Sequence, residues 1–203
     1  VNYGAGTAFP TEAGVGAEFL VGYIPLFQFV AFDKNDLEIL PGPNMTLNGR
    51  VHTNGNLFLA YTHVAHDCVV GSSTIFSNNA QIAGHVRIGD WAVLGAFAGV
   101  HQFCRVGVHT MLAAAAVVLQ DVPPYVTVQG YPAKPHGTNN EGLRRRGFTA
   151  ADILQIRRAY KTLYRENLSL EEARAKIEAE SASVPALAPL AQFLAVPGRG
   201  IVR

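Results

Sequence analysis

A bulky apolar residue recurs at every sixth position through the middle of this chain. Stepping by six from Phe58 gives eleven such positions in succession. They are Phe58, Val64, Val70, Phe76, Ile82, Ile88, Leu94, Val100, Val106, Leu112 and Val118. An α-helix repeats its faces every 3.6 residues and a β-strand every two, so neither element alone explains a period of six.

The same register holds a second set of residues, which are small or β-branched. They occupy the fifth position of each hexad, from Thr62 to Val122. A triangular coil of short strands explains both sets, because each hexad then forms one flat face. The large residue fills the interior, and the small one fits near a corner. Three hexads complete a turn, and stacked turns pair their backbones at about 4.8 Å.

The two cysteines are consistent with such a coil. Cys68 and Cys104 lie two full turns apart, which places them roughly 10 Å from each other and beyond disulfide reach. We therefore expect free thiols that face the core and are unreactive. Free thiols are typical of a reducing compartment, which favours the cytoplasm.

Composition excludes several partners. The formal net charge of +1 gives no global reason to expect nucleic acid. The most apolar window, residues 19–32, is interrupted by Gly22 and Pro25 and is shorter than the roughly 20 residues that a spanning helix needs. We expect no membrane segment, and we find no basic leader of a secretory signal.

The hexads end at Val122, and this limit divides the chain. Residues 1–52 lack the hexads and receive no fold assignment, residues 53–122 form the coil, and the Pro- and Gly-rich residues 123–148 are expected to be a connecting loop. Residues 149–203 are expected to be helical. Capping boxes begin at Thr149 and Ser169, and a third short helix is expected over residues 187–195.

One face of the first of these helices is apolar. Its residues recur at helical spacing and should lie against the coil. They are Ile153, Ile156, Tyr160, Leu163 and Tyr164.

The coil also gathers histidines. Counted in turns of three hexads, His66, Gly84 and Gln102 fall in one column, and His85 and His101 lie one residue to either side of it. The three histidines should line a single edge within about 10 Å. An imidazole suits a general base, and the Gly84 amide suits an oxyanion. A role for Asp67 is less favoured, because adjacent strand residues point to opposite faces.

Several runs of residues resemble the UDP-N-acetylglucosamine O-acyltransferases of lipid A synthesis. They include His63-Val64-Ala65-His66-Asp67-Cys68, Ala83-Gly84-His85-Val86, His101-Gln102-Phe103-Cys104, Gln120-Asp121-Val122-Pro123-Pro124-Tyr125 and the run from Asn140 to Phe148. The resemblance covers about residues 54–203. It implies an all-β left-handed parallel β-helix with a C-terminal α-helical domain. It also implies transfer of a 3-hydroxyacyl chain from acyl carrier protein to the 3-hydroxyl of UDP-N-acetylglucosamine.

The resemblance assigns roles to individual residues. His66 would be the general base, Asp67 its partner, and the Gly84 amide the oxyanion donor. Contacts with the sugar nucleotide or the acyl donor would come from His63, His85, His101 and Gln102, and contacts with the nucleotide or the carrier from Asn139, Glu141, Arg145 and Arg146. The acyl channel would be bordered by Met111 and Ala114. The family works as a homotrimer with sites between subunits, and it needs no metal and no cofactor besides the carrier thioester.

Two other interpretations stay open. Family members have further coils before the catalytic histidine, and residues 1–52 do not resemble them, so the chain is alternatively an inactive structural or binding β-helix. Three histidines on a β-helix can also bind zinc, as in the γ-class carbonic anhydrases.

Overall fold

A computed structural model describes residues 61–203 and, before them, four short strands. These are β1 (Phe29–Asp33), β2 (Leu37–Ile39), β3 (Arg50–Thr53) and β4 (Leu57–Leu59). The chain forms two compact units, Val1–Phe58 and Leu59–Arg203. In the first unit β1 pairs with β3 in parallel. Most of residues 1–52, to which the sequence assigned no fold, lies outside the described residues.

The second unit begins as a parallel β-solenoid of about four turns. Its strands are β5 (Thr62–Val64), β6 (Val69–Val70), β7 (Ile75–Phe76), β8 (Gln81–Ile82), β9 (Arg87–Ile88), β10 (Val93–Leu94), β11 (Gly99–Val100), β12 (Arg105–Val106), β13 (Met111–Leu112) and β14 (Val117–Val118). Strands three apart pair in register, so Val93 lies between Ile75 and Met111. Each partner is 18 residues away, which confirms the triangular coil and the left-handed parallel β-helix.

The hexads fill the core as expected. Ile82, Leu94 and Leu112 are fully buried, and so are the small residues Ala80 and Ala116. Bulky and small side chains therefore alternate inside the coil and leave the intervening residues outside. At the described start of the coil Val70 is an exception, with 40% of its surface exposed.

Both cysteines are free, as expected. Cys104 is buried, and burial raises the pKa of its thiol to about 11. Cys68 is half-buried, its pKa is also raised by burial, and its Sγ donates to the carbonyl of Ala83 at 3.1 Å. Both thiols therefore stay protonated at neutral pH, which disfavours nucleophilic or redox chemistry.

Every corner of the coil has one residue in the left-handed region, with φ between 55° and 63°. Ten such residues recur at intervals of six, and they form three columns. The histidine corner holds Asp67, His85 and Phe103; the tryptophan corner holds Ser73, Trp91 and His109; the third corner holds Tyr61, Asn79, Phe97 and Ala115. From the second turn onwards the left-handed residue donates its N–H to a carbonyl of the turn below, as His85 does to His66 at 3.0 Å.

The expectation of a connecting loop over residues 123–148 is wrong. Strand β15 (Val126–Gln129) pairs in parallel with β13, strand β16 (Lys134–Thr138) pairs antiparallel with β15, and helix α1 (Asn140–Arg145) follows. Val126 and Val128 alternate with exposed or half-buried residues and are themselves buried. The stack therefore gains one more strand after the hexads end. The prolines and glycines interrupt this segment without preventing strands.

Three further helices complete the C-terminal part, as expected. They are α2 (Ala150–Tyr164), α3 (Leu170–Ser181) and, after a 3-10 turn at Pro185–Leu187, α4 (Ala188–Ala195). The capping boxes at Thr149 and Ser169 are both formed. Within residues 61–203 and the four preceding strands, no helix has the length and apolar character needed to cross a bilayer.

The apolar face of α2 is divided between two cores. Tyr160 and Tyr164 pack against the coil, as expected for the whole face. Ile156 and Leu163 instead belong to a second core formed with α3 and α4. The helices thus form a packed layer with a core of its own, and two tyrosines of α2 pack against the core of the coil.

A buried ion pair attaches the end of the chain to the coil. The carboxylate of Asp121, 1% exposed, accepts bonds from the Arg105 backbone N–H and from its guanidinium, each at 2.8 Å. The same guanidinium donates to the carbonyl of Val196 at 2.9 Å. Backbone bonds from Asp121 to Gly200 and from Val202 to Asp121 continue this attachment. The pair therefore fixes coil and C-terminal tail together.

Candidate active site

Two imidazoles and a carboxylate meet at the histidine corner. His66 Nδ1 lies 2.8 Å from Asp67 Oδ2, and His85 Nε2 lies 3.7 Å from the same oxygen. The rings of His66 and His85 are perpendicular, with centroids 5.0 Å apart. All three side chains are exposed. The hydrogen bond from His66 lowers the pKa of the Asp67 carboxyl below its ordinary value, with a smaller contribution from His85.

The contact between neighbouring side chains results from the corner. Asp67 adopts a φ of 57°, so the chain turns between His66 and Asp67 instead of continuing as a strand. Side chains that would point to opposite faces of a strand therefore converge. The reason for disfavouring a role of Asp67 does not hold at this position.

Gly84 lies one turn after His66 in the coil, and the His66 ring packs against its backbone. A Cβ at this position would come within 2.7 Å of both Cε1 and Nε2 of His66, which is closer than ordinary packing permits. Glycine therefore makes room for the imidazole. His66 Nε2, the nitrogen that Asp67 does not engage, is adjacent to the Gly84 backbone.

The Gly84 amide has no hydrogen-bond partner among residues 61–203. It precedes the left-handed residue, and a structurally equivalent amide at the tryptophan corner shows what it can bind. There Ser72 N–H donates to the Asp90 carboxylate at 2.7 Å. An amide at this hexad position can thus bind an anionic oxygen outside the coil.

Phe103 completes the column and was not identified from the sequence. It stacks on His85 with ring centroids 4.7 Å apart and nearly parallel planes. Stacking on this ring orients the His85 imidazole beside Asp67. The hexad register contained the signal, since residues 67, 85 and 103 are three turns of one corner.

The other residues predicted near His66 are His63, His101 and Gln102. His63 lies in β5, half-buried, on the face that leads to the histidine corner. His101 is exposed, and its Nδ1 lies 3.1 Å from the Gln102 carbonyl oxygen. Gln102, also exposed, occupies the hexad position directly above Gly84. The close ring contact thus joins His66 with His85, while His101 turns to its own backbone.

The four residues predicted after the coil lie at the tryptophan corner or on the surface of α1. The Asn139 side chain accepts from Gly142 N–H and donates to the His109 carbonyl at 3.0 Å, so it caps α1 and ties it to the coil. Glu141 pairs with Arg144 at 2.6 Å and with Arg145 at 3.0 Å.

Arg146, like Asn139, contacts the coil. Its guanidinium lies over the Trp91 ring, 5.2 Å from the centroid, and its Nη1 is buried without a hydrogen-bond partner in the described part of the chain. Beneath it, burial and the charge of Arg146 lower the pKa of His109 to about 4. The His109 imidazole is therefore neutral at physiological pH and packs between Trp91 and Tyr125. The sequence did not identify Trp91.

The predicted acyl-channel residues lie elsewhere on the coil. Met111 is in β13, paired with Val93, and its side chain is half-buried. Ala114 is exposed and precedes the left-handed Ala115 at the third corner. Within one chain, neither belongs to the histidine corner.

One group of described side chains has the composition of a metal site. The ligand atoms of His66, Asp67 and His85 lie within 4.8 Å of one another. As placed, Asp67 Oδ2 and His66 Nδ1 are at hydrogen-bond distance, whereas two ligands of a tetrahedral zinc ion lie roughly 3.3 Å apart. The trio therefore fits an oriented imidazole better than a metal centre.

Comparison with known proteins identifies relatives of this chain. Residues 121–202 match the model of the UDP-N-acetylglucosamine O-acyltransferase domain 2 family. The UDP-N-acetylglucosamine acyltransferase structure from Francisella novicida superimposes with a TM-score of 0.71 at 38% identity over 85% of this chain and 65% of that one. LpxA from Acinetobacter baumannii gives a TM-score of 0.70 at 37% identity over 85% of this chain and 69% of that one.

The chain belongs to the UDP-N-acetylglucosamine O-acyltransferase family. Curated members are more similar still. The O-acyltransferase of Thiobacillus denitrificans is 55% identical over 148 residues, and that of a Janthinobacterium species is 50% identical over 154. The alignments include 73% and 74% of this chain but 57% and 59% of those acyltransferases. The chain thus spans less than two thirds of the curated O-acyltransferases it matches.

We predict that the Asp67 pKa depends on His66. In the wild type the pKa of the Asp67 carboxyl should lie below its ordinary value, and in His66→Ala this pKa should rise, with the weaker effect of His85 remaining. A depressed carboxyl pKa stabilises the fold above the unfolded pKa, and this stabilisation disappears as pH falls through the folded pKa. Carboxyl ¹³C NMR as a function of pH measures the Asp67 pKa. His101→Ala is the control and should change nothing; an unshifted Asp67 in the wild type contradicts the prediction.

Proposed function

We propose that this chain transfers a 3-hydroxyacyl group from acyl carrier protein to the 3-hydroxyl of UDP-N-acetylglucosamine, in the cytoplasm, as the first step of lipid A biosynthesis. The observation that carries the proposal is the His66 imidazole, held by Asp67 through Nδ1 and placed against Gly84 through Nε2. Two relatives of the chain are named acyl-[acyl-carrier-protein]--UDP-N-acetylglucosamine O-acyltransferase, which supports the proposal. The free, unreactive thiols favour a reducing compartment.

Asp67 selects the tautomer of His66 that the reaction needs. An ionised carboxylate accepts a hydrogen bond from Nδ1–H, so Nε2 keeps its lone pair. Nε2 then removes the proton of the sugar hydroxyl as that oxygen attacks the thioester carbonyl. The positive charge that develops on the imidazole is stabilised by the carboxylate, whose lowered pKa keeps it ionised.

The Gly84 amide stabilises the anionic intermediate. Attack converts the thioester carbonyl into a tetrahedral oxyanion, and the unpaired N–H donates to it. Collapse restores the carbonyl, breaks the carbon–sulfur bond and expels the carrier thiolate. The thiolate takes the proton from His66, which returns to its neutral form. The products are the ester and the carrier thiol, with no electrons gained or lost.

Substrate anchoring requires more than one copy of the chain. The base lies at the histidine corner, while Asn139, Glu141, Arg145 and Arg146 are grouped near the tryptophan corner. A homotrimer with sites between subunits would place one subunit's arginines opposite another's histidines. Exposed apolar side chains on the coil support such packing. They include Val69, Ile75, Phe97 and Phe103.

The mechanism assigns no cofactor and no metal. The carrier thioester supplies the activated acyl group, and protein groups supply the base and the oxyanion donor. The zinc alternative rested on the three histidines His66, His85 and His101, whereas the described residues group His66 and His85 with Asp67 instead. Equimolar zinc in purified protein would favour that alternative. An inert binding β-helix is the other alternative. Against it, the residues proposed as base, partner and amide donor lie together at one corner of the coil.

We predict that His66→Ala lowers the turnover number for acyl transfer by about 10²- to 10⁴-fold, the usual contribution of a general base. The exposed side chain contributes little to the core, so the melting temperature should not change. Turnover is measured with a panel of acyl carrier protein thioesters and UDP-N-acetylglucosamine. His136→Ala, an exposed histidine on β16, is the matched control. Equal rates in wild type and His66→Ala would refute the mechanism.

We also predict that Gly84→Ala impairs catalysis without unfolding the coil. The added Cβ pushes the His66 ring away from the amide, and a displacement near 1 Å costs about 10- to 100-fold in turnover. Gly99→Ala is the matched control, because its Cβ meets no atom within 4 Å. A Gly84→Ala enzyme as fast as Gly99→Ala would contradict this placement of His66.

A third prediction concerns acyl length. Ala114 is exposed whereas Ala116 is fully buried, so a larger side chain should be accommodated at the first position and overpack the second. We expect Ala114→Met to favour shorter acyl donors by about tenfold, equivalent to two methylenes, with an unchanged melting temperature. Ala116→Met should lower the melting temperature. An unaltered donor profile in Ala114→Met would remove this residue from the channel.

A further inference from the structure

A cavity lies away from the histidine corner, where the helices meet the coil. It encloses about 310 Å³ between β16, the last turn of α2 and the tail. Its lining consists of Lys134, Pro135, Tyr160, Leu163, Tyr164, Arg165, Asn167, Leu168 and Arg203. The volume is at the lower end of the range for small-molecule sites. None of the residues assigned to acyl transfer lines it.

The charged side chains that line this cavity are all positive and exposed. Lys134, Arg165 and Arg203 line it, and it has no aspartate or glutamate in its wall. The guanidinium of Arg203 is held there by a bond to the Leu163 carbonyl at 3.3 Å. The nearest acid along the chain, Glu166, is engaged by Lys176 at 2.8 Å and by Thr162. Within the described residues, Lys134 and Arg165 form no ion pair.

Two tyrosines that line the cavity carry hydroxyls that are unpaired within the described residues. The hydroxyls of Tyr160 and Tyr164 are buried and lack a hydrogen-bond partner in the part of the chain that the structure describes. Their rings are in contact, with centroids 4.9 Å apart. Burial raises the pKa of Tyr164 above its ordinary value, so its hydroxyl stays protonated. Buried hydroxyls are normally satisfied, and their pairing here points to an acceptor from outside the chain.

We propose that this cavity binds a small organic phosphate, with the phosphate oxygens accepting from Tyr160 and Tyr164 and paired with Lys134, Arg165 and Arg203. Three cations match a doubly charged phosphate better than a singly charged carboxylate. Pro135, Leu163 and Leu168 offer an apolar wall to the organic part. A ligand here contacts β16 and α2 together, so binding should stabilise the attachment of the helices to the coil.

The test is calorimetric titration of the full chain with phenyl phosphate. Inorganic phosphate, benzoate and phenol are the comparison probes. They separate the contributions that the phosphate group, the negative charge and the aromatic ring make to binding. We expect saturable binding of phenyl phosphate, weaker binding of inorganic phosphate and benzoate, none of phenol, and a melting temperature that rises with phenyl phosphate concentration. Binding of phenol equal to that of phenyl phosphate, or no saturable binding of any phosphate, would overturn the proposal.

Matched variants locate the site. Lys134→Gln and Tyr160→Phe should each weaken phenyl phosphate binding about tenfold or more, since each removes a donor to the phosphate. Lys161→Gln removes the same charge from α2 outside the cavity and should leave binding unchanged. Lys134 is exposed, so its variant keeps the fold even where Tyr160→Phe does not. Equal affinities for Lys134→Gln and Lys161→Gln would place the phosphate elsewhere. Binding is the readout, so the result is independent of acyl transfer.

Discussion

The coil depends on a left-handed residue at every corner. For residues other than glycine this conformation costs roughly 1–2 kcal/mol each, and ten of them occur in series. Burial of two apolar side chains per hexad offsets the cost, because large residues such as Leu94 and small ones such as Ala98 are almost wholly removed from water. Backbone hydrogen bonds between successive turns also stabilise the coil, and so do the aromatic rings that stack along its corners. The period of six therefore expresses two requirements at once, a filled interior and a turn every six residues.

The corner that shapes the coil also produces the chemistry of the candidate site. A corner brings adjacent side chains together, which is how Asp67 reaches His66 Nδ1. It also leaves the amide before each left-handed residue outside the ladder of bonds between turns, and at Gly84 this amide has no partner within residues 61–203. Glycine is needed there because any side chain would collide with the imidazole above the backbone. The groups proposed as base, orienting carboxylate and oxyanion donor are thus three consequences of one backbone geometry.

The sequence was sufficient to predict the repeating part of the fold, and local patterns missed several features outside the repeat. The hexads predicted the coil, its inward residues and the column of His66 and Gly84, and two capping boxes located helices α2 and α3. Strand β15 was missed because it follows prolines and alternates in twos after a long period of six. Trp91 under Arg146 was missed because it joins the coil to α1 across a distance in sequence that no local pattern encodes. The Asp67 contact was undervalued because strand geometry was applied to a corner.

Charged groups serve opposite purposes in the two halves of the second unit. The Arg105–Asp121 pair is largely buried and is hydrogen-bonded to the tail, so removing Arg105 would leave the Asp121 carboxylate desolvated and unpaired. It contributes attachment and no chemistry. At the histidine corner the carboxylate and imidazoles are exposed, where ion pairing adds little stability, and their arrangement suits the proposed proton transfer instead. The cavity beside Tyr160 differs from both, because its cations are gathered without a carboxylate among them. Three exposed cations and two tyrosines with hydroxyls unpaired within the described residues surround one cavity, and they suit an anion that the chain does not itself supply.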